Sequence, residues 1–376
     1  MMRRSIPARC ASVAAILALV VPAAGGHAQN VGNEESPDTT GVRGLRLAAY
    51  PFVYYTPETE VAFGGGGILT YYFGSDPELR PSRTALSGYY STRGQYKVSQ
   101  DTEIYLSGNR RVVRLPVSFG DLVDKYWGLG AQTPESGNED YDVRVIEGEV
   151  VVEGVTLLEG FLRDGIVYRA SWRDVLDRRE NPNFDDQTLG VDGGFTAGLG
   201  LMLVHDSRDH LFYPRDGGFA TLSFVGYHNL IGSDFGFSEL QADARWYRGV
   251  GSRTVVAAQG VGHFAFGDPP FYESPALGGG SIMRGYFQGR YRDERAAAVQ
   301  AEVRQALFWR IGAVAFAGVG EVWGDGEGEP RWDALKYSFG FGLRFVFNRA
   351  ESINLRADIG WGRGTTGLYF GIGEAF

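Results

Sequence analysis

The sequence predicts an all-β fold, a transmembrane antiparallel β-barrel of about 16 strands, and three observations carry that reading. Segments such as Lys336 to Asn348 alternate with a period of two: Tyr337, Phe339, Phe341, Leu343, Phe345 and Phe347 fall on one face and Lys336, Ser338, Gly340, Gly342 and Arg344 on the other. An unbroken aromatic and leucine face opposite glycine and charge fits lipid outside and a polar lumen inside. The chain combines 55 glycines with 20 tyrosines and 24 phenylalanines at a mean hydropathy of -0.17, as a barrel with aromatic girdles and a polar interior does. Beyond the N-terminal region no apolar stretch reaches the roughly 18 residues of a membrane-spanning helix.

The N-terminus has a basic start, Arg3 and Arg4, an apolar run from Ala11 to Val21, and small residues ending in Gly26-His27-Ala28. This is the pattern of a secretory signal peptide, residues 1–28, cleaved after Ala28. Cys10, the sole cysteine, leaves with it. What remains has no disulfide framework, thiolate metal site or cysteine nucleophile. Loss of Arg3, Arg4 and Arg9 makes the rest more acidic still than the formal charge of -9, which argues against nucleic acid as a partner. Residues 29–44, with Glu34, Glu35 and Asp38, read as a disordered periplasmic leader. The barrel occupies residues 45–376.

Strands are expected at 45–55, 61–73, 82–91, 96–107, 110–119, 141–153, 155–171, 190–205, 217–229, 235–249, 252–265, 295–308, 311–323, 336–348, 351–362 and 367–376. With both termini in the periplasm, the odd-numbered connections are extracellular and include the long ones at 120–140, 172–189, 266–294 and 324–335. Most even-numbered ones are tight: Gly108-Asn109, Gly154 alone, Val250-Gly251, Trp309-Arg310 and Arg349-Ala350. Long loops on one side and short turns on the other are the barrel pattern.

The stretch Leu277 to Asp293, LGGGSIMRGYFQGRYRD, places Arg284, Gly285 and Tyr286 in the middle of the longest loop. Apolar residues flanked by glycines fit a loop folded back into a cavity, where an arginine needs a carboxylate. The alternative is a solvated surface loop. The turn after the eighth strand reads His205-Asp206-Ser207-Arg208-Asp209 and then Pro214-Arg215-Asp216-Gly217-Gly218, and the chain ends in Phe376. Together these motifs resemble the barrel of the outer-membrane assembly and two-partner secretion superfamily, whose bacterial surface antigen domain includes the BamA and TamA proteins. The resemblance is strongest from Leu199 onward.

The resemblance implies a sixteen-stranded barrel in the outer membrane of a Gram-negative bacterium, with the Arg284-Gly285-Tyr286 motif of the sixth extracellular loop tucked into the lumen. The arginine's implied partner is an acid on the lumenal wall; Glu302 is the candidate, because alternation along Arg295 to Phe308 points it inward. Asp206, Arg208, Asp209, Pro214 and Gly217 form the periplasmic turn motif, and Phe376 closes a C-terminal assembly signal. The pattern departs from the family at Gly318, where a second lumenal acid is usual, so a weaker pin is expected. Glu374 stands where the signal favours an aromatic. No periplasmic client-receiving domain is read ahead of the first strand. The implied function is insertion or translocation of protein or lipid, with outer-membrane lipid and lipopolysaccharide, the assembly machinery and a separate periplasmic partner as contacts.

The seam between the first strand and the glycine-rich last one opens toward lipid in that family; the same glycines would also serve barrel curvature. Arg208 and Asp209 serve either a partner or the turn itself, and Asp-rich turns commonly order themselves. The charges from Arg173 to Asp186 read as a solvated loop. The remaining histidines, His205, His210, His228 and His263, lie in neither a Gly-x-Ser-x-Gly nor a His-Glu-x-x-His setting. No catalytic residue, metal site or cofactor is therefore predicted. The runner-up function is a passive channel or structural surface barrel, and an outer-membrane hydrolase comes third.

Overall fold

A computed structural model describes residues 45–73, 80–154, 162–210, 213–324, 330–348 and 352–376. The expected signal peptide and leader lie outside them. Sixteen strands form one closed antiparallel barrel. They are β1 (Arg46–Thr56), β2 (Glu60–Tyr71), β3 (Ser82–Ser91), β4 (Tyr96–Leu106), β5 (Arg111–Lys125), β6 (Asp140–Glu153), β7 (Arg163–Asp177), β8 (Gly193–Asp206), β9 (Gly217–Tyr227), β10 (Phe237–Val250), β11 (Thr254–Gly267), β14 (Arg295–Phe308), β15 (Ile311–Trp323), β16 (Lys336–Asn348), β17 (Ile353–Trp361) and β18 (Thr366–Ile372). Between β11 and β14 a two-stranded ribbon, β12 (Ala276–Leu277) with β13 (Tyr291–Arg292), forms inside the long loop.

Alternation decides which way each strand faces. In β16, Tyr337, Phe339, Phe341 and Leu343 are exposed on the outside, while Lys336, Ser338 and Arg344 are buried inside. The same rule exposes Leu199, Leu201, Phe224, Trp246, Val299 and Val303 outward. It sends Glu239, Gln300, Glu302, Arg304 and Asp358 into the lumen. An outer apolar face and a charged interior reverse the arrangement of a soluble protein, because lipid is the outer solvent.

Three expected strands need correction. β5 runs on to Lys125 rather than stopping at 119, and β7 spans 163–177 rather than 155–171. Consequently the loops are 126–139 and 178–192; the expected strand start at 155 lies outside the described residues. The β5 extension carries Asp121, whose Oδ1 accepts from Arg144 Nε at 2.7 Å, and just beyond β7 Arg179 Nη2 pairs with Asp142 Oδ1 at 2.7 Å. Charge on both faces blurs the alternation by which a strand end is recognised. The last strand ends at Ile372 rather than 376, because Gly373 adopts φ +85° and turns the chain inward.

The barrel closes unevenly. β1 pairs with β2 along its whole length, from Arg46↔Thr70 to Thr56↔Glu60, whereas among the described residues its register with β18 is given by one pair, Tyr55↔Phe370. Among the described residues the seam is therefore paired over a much shorter length than the other neighbouring strands.

Candidate functional site

The β12–β13 ribbon gathers the base of the long loop and sends residues 278–290 down into the lumen. At its tip Met283, Arg284 and Tyr286 are almost fully buried. Arg284 is gripped from two sides: Nη2 donates to Glu302 Oε2 of β14 at 2.7 Å and Nη1 to Asp358 Oδ2 of β17 at 2.6 Å. Its guanidinium lies 3.5 Å from the centroid of the Phe316 ring of β15, a cation–π contact. Two planar donors meeting two carboxylates in a site without solvent fix one loop conformation, and loss of either kind of partner strands a buried charge.

The backbone around Arg284 is held as closely. Tyr369 of β18 accepts from Gly285 N and donates to Tyr286 O, both at 3.0 Å. Thr365 Oγ1 donates to Gly285 O at 2.7 Å, and Tyr286 Oη donates to Tyr337 O at 3.0 Å. Gly285 takes φ +114°, and a Cβ there would stand 2.6 Å from the carbonyl carbon of Trp361. Opposite it, a Cβ on Gly360 would meet the Arg284 carbonyl at 2.7 Å. Glycine faces glycine where the loop backbone touches the wall, so neither position accepts a side chain.

Beyond the tip, Gln288 N donates to Glu58 Oε1 at 2.8 Å, in the turn between β1 and β2. The loop thus holds β18 through Tyr369 and β1 through Glu58, the two sides of the weak seam. Burial raises the Glu58 carboxyl above its ordinary pKa, partly offset by the Gln288 hydrogen bond. The outer part of the loop is tied to loop 126–139: Arg290 donates to Thr133 Oγ1 at 2.9 Å, and its guanidinium lies 5.1 Å from the Trp127 ring centroid. Tyr126, Tyr141, Phe184 and Phe271 cluster above the lumen and cover this end.

Behind the pin the charges continue toward the opposite end. Glu302 also accepts from Arg304 at 3.1 Å, Asp358 accepts from Arg344, and Arg344 Nε donates to Glu374 Oε2 at 2.7 Å. Asp358 was not among the expected partners. It supplies the second acid that Gly318 lacks, so the expected weaker pin is corrected: the second carboxylate comes from β17 instead of β15. Inward alternation of Asn354, Arg356 and Asp358 was its sequence signal. Along the β4–β8 wall the lumen keeps a cavity of about 450 Å³ lined by Lys97, Glu147, Glu149, Arg169, Arg173 and Glu273.

The turn motif lies apart from the pin. Asp206 accepts from Arg208 Nε and Nη2, each at 2.9 Å, and Asp209 Oδ1 accepts from the Arg215 and Asp216 amides at 2.8 and 3.2 Å. Pro214 is buried and Gly217 takes φ +102°. These residues order the turn itself. His205 Nε2 lies 3.1 Å from Ser207 Oγ, yet that hydroxyl also bonds Gly218 N and O across the turn. Phe376 is buried inside the barrel.

The Omp85 superfamily domain matches residues 165–376, more than half of the 376-residue chain. The chain belongs to the Omp85 superfamily. This Omp85 barrel resembles, in fold, the crystal structure of BamA from Haemophilus ducreyi lacking POTRA domains 1–3, with a TM-score of 0.58 at 14% identity over 88% of this chain and 70% of that one. CdiB from Acinetobacter baumannii gives 0.56 at 13% over 87% and 59%, and CdiB from Escherichia coli 0.57 at 12% over 91% and 63%. The Omp85 barrel thus spans less than two thirds of either CdiB chain. No curated protein matches its sequence.

Two predictions follow from the pin and its clasp. Arg284→Ala, leaving Glu302 and Asp358 buried beside unpaired space, lowers unfolding stability by about 3–5 kcal/mol in a urea titration, and Arg284→Lys recovers only part; an unchanged midpoint for Arg284→Ala would refute the pin. Because the native Glu58 carboxyl keeps its proton to higher pH than in the unfolded chain, its contribution to stability falls as pH rises above the unfolded value. Thermal unfolding of Glu58→Gln should therefore lose part of the wild type's decline between pH 4 and 7, whereas identical pH profiles would exclude this role.

Proposed function

We propose that this Omp85 barrel resides in the outer membrane of a Gram-negative bacterium and assists insertion or translocation of protein or lipid there, with a separate periplasmic partner. The observation that carries the reading is the seam: one register pair joins β1 to β18, while a loop clamped in the lumen holds both flanks. A wall with few interstrand hydrogen bonds separates at lower free-energy cost than its neighbours, and unpaired strand edges are templates for another strand. In this reading Arg284, Gly285, Tyr286 and Glu302 form the lock that sets when the seam is closed. The family resemblance supports it, as do the folds shared with BamA and CdiB.

The runner-up, a passive channel, draws on the charged cavity along the β4–β8 wall. Against it stand the aromatic cover over the loop end and the loop itself in the lumen. Reconstitution into proteoliposomes distinguishes the two. The assembly reading expects the barrel to accelerate insertion of a second, unfolded barrel protein, and a Tyr55→Cys/Phe370→Cys disulfide to abolish that acceleration until reduced. Steady planar-bilayer conductance without acceleration, before or after reduction, would leave the channel.

A further inference from the structure

Against the β12–β13 ribbon lies a cavity of about 310 Å³, walled by other strands than those that hold the Arg284 side chain. The inserted loop gives it Tyr272, Glu273 and Arg292, while β7, β10 and β11 give it Arg173, Glu239 and His263. It shares Arg173 and Glu273 with the cavity of about 450 Å³ along the β4–β8 wall, so a solute reaches it through the lumen.

Charges of both signs line this cavity without meeting each other. The two arginines make only long ion pairs: Arg173 Nη2 lies 3.5 Å from Glu147 Oε2 and Arg292 Nη2 3.7 Å from Asp124 Oδ2, and Asp124 also accepts from Tyr141 Oη at 3.2 Å. Their Nε atoms and the Tyr272 hydroxyl have no hydrogen-bond partner among the described residues, although Arg292 is 8% and Tyr272 7% exposed. The carboxylates are served mainly by neutral donors. Glu273 Oε1 accepts from Thr196 Oγ1 at 3.3 Å. Glu239 Oε2 accepts from Gln241 Nε2 at 3.1 Å and Tyr227 Oη at 3.4 Å, while Arg169, 3.5 Å away, makes its shorter bond to Glu149 at 2.5 Å. His263 Nε2 stands 3.7 Å from Glu239 Oε1. Among the described residues neither Arg173 nor Arg292 forms an ion pair with Glu239 or Glu273, although all four line one cavity. Buried charge without a close counterion is unfavourable, so the cavity has one pole short of acceptors and one short of cationic donors.

We propose that this cavity binds a small water-soluble zwitterion, whose oxyanion meets Arg173, Arg292 and the Tyr272 hydroxyl and whose primary amine meets Glu239 and Glu273. The guanidinium groups make charge-assisted bonds to the oxyanion, and an ammonium brings three donors to the two glutamates. A molecule with one charge satisfies one pole and leaves the other as it was, so the site selects the doubly charged form. Tyr272, Glu273 and Arg292 belong to the inserted loop, Arg173 and Glu239 to the wall. The bound molecule therefore ties the loop to β7 and β10, which the Arg284 side chain does not touch. The site does not depend on opening of the seam, and binding is measured without any insertion assay.

The test is isothermal titration calorimetry on the full barrel purified in detergent, with glycylglycine and phosphoethanolamine as probes. At least one should bind with a Kd of about 1 mM or tighter, and which one binds tells a carboxylate from a phosphate. For glycylglycine, acetylation of the amine or amidation of the carboxylate should each lose about tenfold; for phosphoethanolamine, ethanolamine and inorganic phosphate should each bind about tenfold more weakly. Arg292→Gln should weaken the probe by about tenfold and abolish the preference for a free oxyanion, whereas Glu273→Gln should abolish the preference for a free amine. No binding of either probe, equal binding of the singly charged forms, or unchanged affinity in both variants would overturn the proposal and leave a water-filled cavity. Should either variant fail to fold, as judged by heat-modifiable gel mobility, Tyr272→Phe, which removes one donor, must weaken the probe by about threefold or more.

Discussion

One buried guanidinium organises this barrel. Arg284 lies between Glu302 and Asp358 with the Phe316 ring against it. Burying three charged groups carries a desolvation cost of several kcal/mol per ion, and only near-ideal geometry repays it. The payoff is uniqueness of conformation rather than net stability: the loop has one place to go, and β14, β15, β17 and β18 are each touched by it. The exchange of backbone hydrogen bonds with Tyr369 and the contact of Gly285 with Gly360 follow from where the arginine must stand.

The same placement explains how a barrel with a poorly bonded seam stays closed. Among the described residues one register pair joins β1 to β18, so much of closure falls to groups inside the lumen. Glu58 on one flank and Tyr369 on the other are both bound to the inserted loop. From the pin, two chains of alternating charge run through Arg304 and Arg344 to Glu374, so the loop tip and the segment after β18 share one electrostatic network. In such a network one removed partner leaves its neighbours with unpaired buried charge, which couples the two ends of the lumen.

Much of the fold was legible because a lipid-facing barrel enforces strict alternation. In β16 each residue from Lys336 to Leu343 reads its side from its neighbour, and the same pattern placed Glu302 inward. Legibility failed where the outer solvent changes: beyond the bilayer, β5 and β7 carry charge on both faces, so their ends could not be seen. Asp358 stood on the lumenal face in plain sight, but its partner is 74 residues away in sequence, and register around a closed barrel brings them together. Tyr369 and Glu58 gave no signal, since each acts through backbone groups of a loop whose path the sequence does not encode locally. The inward turn at Gly373 was hidden too, because Glu374 finds its arginines only once the barrel has closed.

The central claim is that the loop pin, more than the sheet, holds the seam. Hydrogen–deuterium exchange of β18 in Arg284→Ala against wild type tests it most directly. The account predicts faster exchange across Thr366 to Ile372 and in β1, with β5 to β8 unchanged. A displaced loop with β18 protection left as in the wild type would contradict it.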